Sequence, residues 1–600
     1  MLHQHSGDQV NRRAAFLKQI AILRLLLRQG LAVRGHDESE SNLQQLLKLH
    51  CDDDKTLLTW LQEKKYQSPE IVNECISLMS NELLRRLLRD INDAELYAVL
   101  ADETRDISNK EQLSICIRWV DSSFVIHEDL VGMVHVVHTD ANSIYSAIKD
   151  VLVRCGLPLT QCRGQGYDGA AAMMGRLKGV GRRFQDEESR ALPVHCFAHT
   201  LNLCLQDATK QCNIIRDSLC LVKEIYQLLC RSPKRQEVFS NIKVELSPES
   251  SGLRPLCPTR WTVRTSALHS LLSNYEALSD TMQEISLESH DEHGASASGL
   301  LSRLEQFRTF FGLKLSHYVF SRTEDFSVTL QSKQTTIDTA FRQAEVIKNH
   351  FKAQRSEESF DKFYEHVLQQ SQDLTNPPVL KRQRRIPKRF DDGGPLHAHQ
   401  TPKDMFRAMY YEVLDVTIQE LDDRFGSKQL DIPKKMEQLL LTAFNNDTSA
   451  IEANVDVVCE FYSSDLDKNK LTRQLQMVPD VLAEVKKSAA FNELKTVTSV
   501  STIADILKNF PSYADLLSEI RTLVKIFMTI PVSTASSERS FSVLRRLKTY
   551  LRSTMNQSRL NHVIMLHCHK DKTDKLNLPG IAQEFVRKND VREMYFGSFE

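Results

Sequence analysis

The sequence is short of long apolar runs. No stretch of about 18 consecutive apolar residues occurs, so no membrane span is expected. The apolar stretch Ile20–Leu27 is broken by Arg24 and followed by Arg28, and reads as an amphipathic helix rather than a signal peptide. Cysteine is sparse and unpatterned, 13 in 600 residues, which argues against a disulfide framework and suits reduced thiols in the cytosol or nucleus. Charge of one sign is also missing. A net charge of -1 excludes a uniformly basic surface, so any nucleic-acid binding has to come from local patches. No internal repeat or heptad array stands out. What remains is a globular composition, 41% hydrophobic and 26% charged, in a chain too long for one ordinary core.

Along the chain, residues 1–93 read as helices. Val10–Arg28 has helical apolar spacing, GLAVRGHDE (30–38) is a loop, and Leu43–Leu61 and Pro69–Leu88 are further helices. At Leu96 the pattern changes. LYAVLADETRDIS is a short apolar run ending on acids, as a buried strand would. Strands at Gln112–Val120 and Phe124–His135 follow, then a helix at Ala141–Arg154 and a strand at Leu159–Gly164. GYDGAAAMMGRLKGVGRRF opens a glycine-rich turn and a basic helix, Val194–Phe197 is a fifth strand, and one long helix runs to about Leu229. The order β-β-β-α-β-α-β-α predicts an α/β RNase H-like core with a mixed sheet. From Arg260 to about Phe510 only helical patterns remain, among them Val328–Gln370 and Thr472–Lys487. They are interrupted by polar gaps at Ser286–Ser298 and Asn376–Pro395.

Three acids draw attention. Asp102 ends the first strand, Asp168 follows the fourth, and Glu538 lies in PVSTASSERSFSVLRRLKTYLR (531–552). That stretch reads as a loop entering a helix capped by Thr534 or Ser536, with Phe541, Leu544, Leu547 and Leu551 on one face and Glu538, Arg545 and Arg552 on an adjacent stripe. In an RNase H-like sheet the first and fourth strands are neighbours, so Asp102 and Asp168 would meet. A third carboxylate completes a site for two divalent ions about 4 Å apart. Each acid also has a plainer reading: strand-end and turn acids for Asp102 and Asp168, and a first-turn acid favouring the helix dipole for Glu538.

The wording of these stretches adds to their spacing. SSERSFSVLRRLKTYLRSTMNQSRLNHVIML resembles the C-terminal signature of hAT-family DNA transposases and the host proteins derived from them. LADETRDIS resembles that family's first-Asp motif, with Asp106 as the alternative to Asp102, and GYDGAAAMMG resembles the second, though Ala171 and Ala172 stand where a Ser-Asn pair is common. HCFAHTLNL (Cys196, His199) resembles its C/D-x-x-H motif, and TRW (Arg260, Trp261) its R-W motif. GLAVRGHDE resembles the segment before the core in the branch shared with zinc-finger MYM-type and THAP-linked proteins.

The resemblance implies metal-dependent DNA strand cleavage and transfer by an Asp102-Asp168-Glu538 triad holding Mg²⁺ or Mn²⁺, with no small-molecule substrate. The alternative it implies is a catalytically inactive, domesticated descendant acting as a dimerising DNA- or chromatin-associated regulator in the nucleus. It also implies a domain plan: 1–93 helical, 94–260 the first part of the core, 261–510 a large α-helical insertion, 511–570 the closing part with the dimerisation region, and 571–600 a tail. The whole is then mainly α.

Self-association, at least to a dimer, is expected through Leu547, Leu551 and Leu560. Family members usually find their DNA ends with a C-x₂-C…H zinc finger. None stands here, so Met1 is expected to begin a shortened copy.

DNA contacts are expected from Arg182, Arg183, Arg545, Arg546 and Arg552, which give affinity without sequence choice. By resemblance His199 would sit near the scissile phosphate; read alone, Cys196-x-x-His199 is half a zinc site or simple packing. Trp261, beside Arg260, reads as core or as a base-stacking platform. KRQRRIPKR (381–389) reads as a nuclear-localisation signal, a DNA contact or a solvated charge run.

Overall fold

A computed structural model describes residues 2–35, 38–52, 54–256, 263–288, 291–380, 400–426, 430–446 and 451–599. It opens with four helices, α1 (Leu2–Gln29), α2 (Asn42–His50), α3 (Lys55–Glu63) and α4 (Pro69–Asp93). The single helix expected over 43–61 is two, because the Asp54 carboxylate accepts the Thr56 N–H and starts a new helix. Ser68 caps α4, whose first residue is Pro69.

The sheet follows in the predicted order: β1 (Tyr97–Arg105), β2 (Glu111–Val120), β3 (Ile126–Val136), α5 (Ala141–Arg154), β4 (Cys162–Tyr167), α6 (Ala171–Met174), α7 (Val180–Glu187) and β5 (Leu192–His195). In space the order is β3-β2-β1-β4-β5. The pairings β1–β2 and β2–β3 are antiparallel, and β1–β4 and β4–β5 are parallel. Short turns make the first two pairings possible. Asp106 N–H bonds Lys110 O at 3.0 Å, and Asp121 N–H bonds Val125 O at 3.1 Å. The parallel pairings need helical crossovers. Tyr97–Ala101 and Gln112–Val120 are buried throughout, as strands covered on both faces must be. The fourth strand starts at Cys162 rather than Leu159, because Leu159–Gln161 turns as a 3₁₀ helix behind Pro158.

The chain forms two compact units. One comprises residues 1–196, 333–338 and 430–600, the other 197–332 and 339–429. The first holds the sheet. In it the last residues, expected as a tail, are part of the core: the Phe16 ring lies 4.9 Å from Phe585 and 5.1 Å from Phe596, on the helices Leu578–Val586 and Asp590–Phe596. Arg592 pairs with Glu74 of α4 at 2.8 Å. Also in this unit, the guanidinium of Arg118 on β2 is buried. It pairs with Glu128 of β3 at 2.7 Å and donates to the carbonyls of Met528, Lys333 and Thr335.

The second unit is helical among its described residues. Its first two helices are α8 (Phe197–Gln211) and α9 (Asn213–Cys230), where one long helix was expected. The polar gap expected at 286–298 contains the helix Glu292–Leu304. Asp291 caps it by accepting the N–H groups of His293 and Gly294, and Ala297, Leu300 and Leu304 face inward. The aromatic core includes Phe307, Phe311 and Phe406, with Phe406 5.0 Å and 4.8 Å from the other two. The architecture is thus mainly α around a mixed five-stranded sheet. Among the described residues no helix is long and apolar enough to cross a membrane.

Candidate active site at the end of the sheet

β1 is buried up to Ala101 and becomes partly exposed at Asp102, so that carboxylate stands where the strand leaves the core. Asp102 pairs in register with Ser114 of β2. On its other side β1 runs parallel to β4, with Val99 beside Gln165 and Leu100 beside Gly166. Asp102 and Asp168 continue that spacing two residues further on. Asp168 leaves β4 in a turn, its carboxylate accepting the Ala170 N–H at 3.1 Å. The residue after it, Gly169, is glycine, and a Cβ there would stand 2.6 Å from the His195 ring at the end of β5, so a side chain would have to push that ring aside.

Glu538 arrives from the far end of the chain on the helix Ala535–Leu547. Neighbouring residues seat that helix against the sheet. Pro531 packs so closely on β4 that a Cβ at Gly164 would lie 2.6 Å from it, and one at Gly166 3.2 Å. Thr534 is the N-cap, yet its side chain makes no cap bond; its N–H instead donates to Cys196 Sγ at 3.3 Å. Ser536, the other expected cap, gives its hydroxyl to Glu128. Ser540 Oγ donates to Ser114 Oγ at 2.8 Å, on the residue that pairs with Asp102. Serines, a cysteine and two glycines therefore let a polar helix start lie flat on the sheet.

Asp102 and Glu538 both feel the acids beside them. Burial drives the Asp102 carboxyl well above the usual carboxylate range, and the charges of Glu538 and then Asp168 add to it. Glu538 is raised to about 7, by burial first, against the pull of Arg539 and with a push from Asp168. Glu103, which the sequence reading passed over, is also raised, by burial and then by Asp168 and Glu111. Its adjacency to Asp102 was the available signal. Like charges gathered in a partly dry pocket are costly unless protonated or neutralised by a cation. An all-carboxylate donor set suits a hard divalent ion such as Mg²⁺ or Mn²⁺. Among the described residues, however, no three His, Cys, Asp or Glu side chains are drawn together closely enough to ligate an ion as they stand.

Asp106, the alternative first acid, is already committed. Burial pushes its carboxyl up, but Lys548 at 2.6 Å and the turn N–H groups of Lys110 and Ser108 outweigh that and hold it below its usual range. Both side chains of the pair are buried.

The expected DNA contacts are dispersed. Arg182 pairs with Asp186 at 2.9 Å, and Arg183 donates to Lys178 O and Asn142 Oδ1. Arg545 and Arg546 are exposed on the Glu538 helix. Arg552 is not on a stripe with Glu538, because the helix ends at Leu547 and Arg552 falls in the 3₁₀ turn Tyr550–Arg552. His199 lies half-buried on α8, in the other unit. Arg260, Trp261 and the basic run 381–389 lie outside the described residues. Of the leucines expected to mediate self-association, Leu547 and Leu560 are core residues, whereas Leu551 is 81% exposed beside Tyr550 at 83%.

Comparison with known proteins gives three family matches. Residues 1–179 match the ZMYM1/FAM200 RNase-like domain, residues 194–305 the ZBED1 RNase-like helical domain, and residues 491–571 the hAT family C-terminal dimerisation region. A human relative, the "52 kDa repressor of the inhibitor of the protein kinase", is 24% identical over 94% of this chain and 75% of its own length. Human "Zinc finger BED domain-containing protein 4" is 26% identical over 18% of this chain and 9% of its own. Bovine "General transcription factor II-I repeat domain-containing protein 2" is 22% identical over 34% and 22%.

Proposed function

Since this chain belongs to the hAT family of transposases and their derived proteins, we propose that it cleaves and transfers DNA strands in a metal-dependent reaction at Asp102, Asp168 and Glu538. The observation that carries this reading is that Asp102, at the end of a strand adjacent to the one that leads to Asp168, feels the charges of both Asp168 and Glu538, the latter from a helix at the far end of the chain. Asp102, Asp168 and Glu538 would hold Mg²⁺ or Mn²⁺. The chemistry these ions would supply there is Lewis-acid charge, lowering the pKa of an attacking water or 3′-hydroxyl and offsetting charge on the leaving oxygen. Glu538 sheds its proton near neutral pH, so the site gains charge for a cation over the range in which nucleic acids are handled. Arg539, Arg545 and Arg546, on the same helix, offer guanidinium groups to phosphates nearby. Cleavage of a DNA duplex that depends on Mg²⁺, and that falls at least about a hundredfold in Asp168→Asn, is the expected result. Equal cleavage by that variant removes the reading.

A second reading has its own support. The relative that matches along most of the chain is named as a repressor, and the acids are not set at ligand distance. On that reading the fold serves as a nuclear, DNA-associated, self-associating scaffold for transcriptional control. It predicts DNA binding without cleavage at any divalent-ion concentration. Both readings include self-association through the dimerisation region, at the exposed Tyr550 and Leu551. Chromatography showing only monomer at micromolar concentration counts against that part.

A further inference from the structure

Neither reading uses GLAVRGHDE or SRLNH, yet the fold brings their arginines to one place. The chain after α1 turns back at Gly30, and Arg552 reaches it from the 3₁₀ turn, donating from Nη1 to Gly30 O at 3.1 Å and to Leu547 O at 3.5 Å. Arg34 lies four residues beyond Gly30. Its Nε and Nη2 are sealed from solvent and have no hydrogen-bond acceptor. Arg559 stands on the first turn of the helix Gln557–Cys568, whose cap Asn556 accepts the Arg559 N–H at 2.8 Å.

We propose that Arg34, Arg552 and Arg559, with His562 at their edge, form a binding site for a phosphate oxyanion. Among the described residues no carboxylate pairs with these three guanidiniums, and like charges gathered in a partly buried place repel one another unless an anion joins them. Arg559 shows the strain: burial first, then the charges of Arg34 and Arg552, lower it to about 10. Arg552 is lowered by burial, and His562 by burial and then Arg559. Among the described residues Arg34 influences the exposed Glu70, whose carboxylate is held first by its own N–H and by Ser68. Guanidinium is also the group that matches phosphate with paired donors, and a helix first turn adds N–H dipoles of the same sign. The phosphate is either free, as in pyrophosphate or a nucleotide, or part of a DNA backbone. The inference does not rest on catalysis at Glu538.

The test needs no divalent ion and is run in chelator on the full chain and on Arg34→Gln and Arg559→Gln. Thermal melting is compared in sodium pyrophosphate and in sodium chloride of equal ionic strength. Binding of a 30-base-pair duplex is measured over a salt series. If the site takes free phosphates, pyrophosphate raises the wild-type Tm by about 4 °C beyond chloride, and both variants lose that rise. If it takes the DNA backbone, both variants bind duplex more weakly and the slope of log affinity against log salt falls by about one per arginine. In chloride alone each variant should melt at or above wild type, because a repelling charge has gone. Variants that melt well below wild type in chloride overturn the proposal, since the guanidiniums then have partners within the chain. So does wild type indifferent to pyrophosphate together with unchanged duplex binding in both variants.

Discussion

The charge on Glu538 makes a prediction that can be worked through without any assay of cleavage. In the folded chain this carboxyl titrates at about 7, against 4.5 for the ordinary side chain, because it is buried and faces Asp168. Between those pH values the folded chain holds a proton that the unfolded chain has released. Stability therefore falls as pH rises through this window and stays reduced above it. The size of the shift corresponds to about 3 kcal/mol. Glu538→Gln removes the titration while keeping the shape. The variant should be more stable than wild type by about that amount at pH 8, and the two curves should converge below the ordinary glutamate value. Urea unfolding followed by tryptophan fluorescence suits the measurement. In a Trp261→Phe background the remaining reporters are Trp60 and Trp119, both buried in the sheet-bearing unit. Millimolar Mg²⁺ should stabilise wild type at pH 8 and help the variant less. Parallel curves from about pH 5 to pH 8, or a variant weaker than wild type at pH 8, would refute the reasoning that burial and Asp168 drive this group.

Two further outcomes follow from the packing around the acids. Lys548→Met strands Asp106 as a buried charge, and should destabilise the sheet unit by about 3–5 kcal/mol in chemical denaturation; adding Asp106→Asn should return part of that loss. Gly164→Ala puts a Cβ 2.6 Å from the Pro531 ring, so it should cost about 1–3 kcal/mol by overpacking and shift the Glu538 helix from the sheet. On the cleavage reading its activity then falls further than its folded fraction, and equal losses of both would show that the contact is structural only.

Local chemistry was enough to read the strands of the sheet. Five short apolar runs, separated by Asp- and Ser-bearing turns and then by helices, gave the elements in chain order and a mixed sheet, whereas the strand directions and the spatial order came from the fold. Helix breaks were harder. Asp54 and Asp291 start helices inside stretches read as continuous or as loop, since a capping carboxylate outweighs the hydrophobic pattern over a few residues. The last turns of the chain looked like a tail because the rings that draw Phe585 and Phe596 into the core, Phe16 and Tyr66, stand at the other end of the chain.

For the proposed site, the sequence by itself placed Asp102 and Asp168 at strand ends, since residue type and position along a strand suffice for that, and the resemblance of the 531–552 stretch to the hAT signature singled out Glu538. Only the tertiary structure decided that Lys548 neutralises Asp106, that Glu103 joins the cluster, that Arg552 leaves the Glu538 stripe for Gly30, and that Pro531 and Cys196 seat the final helix. Those outcomes depend on groups hundreds of residues apart meeting in low dielectric, where burial and a single neighbouring charge set protonation, and no local pattern records such meetings.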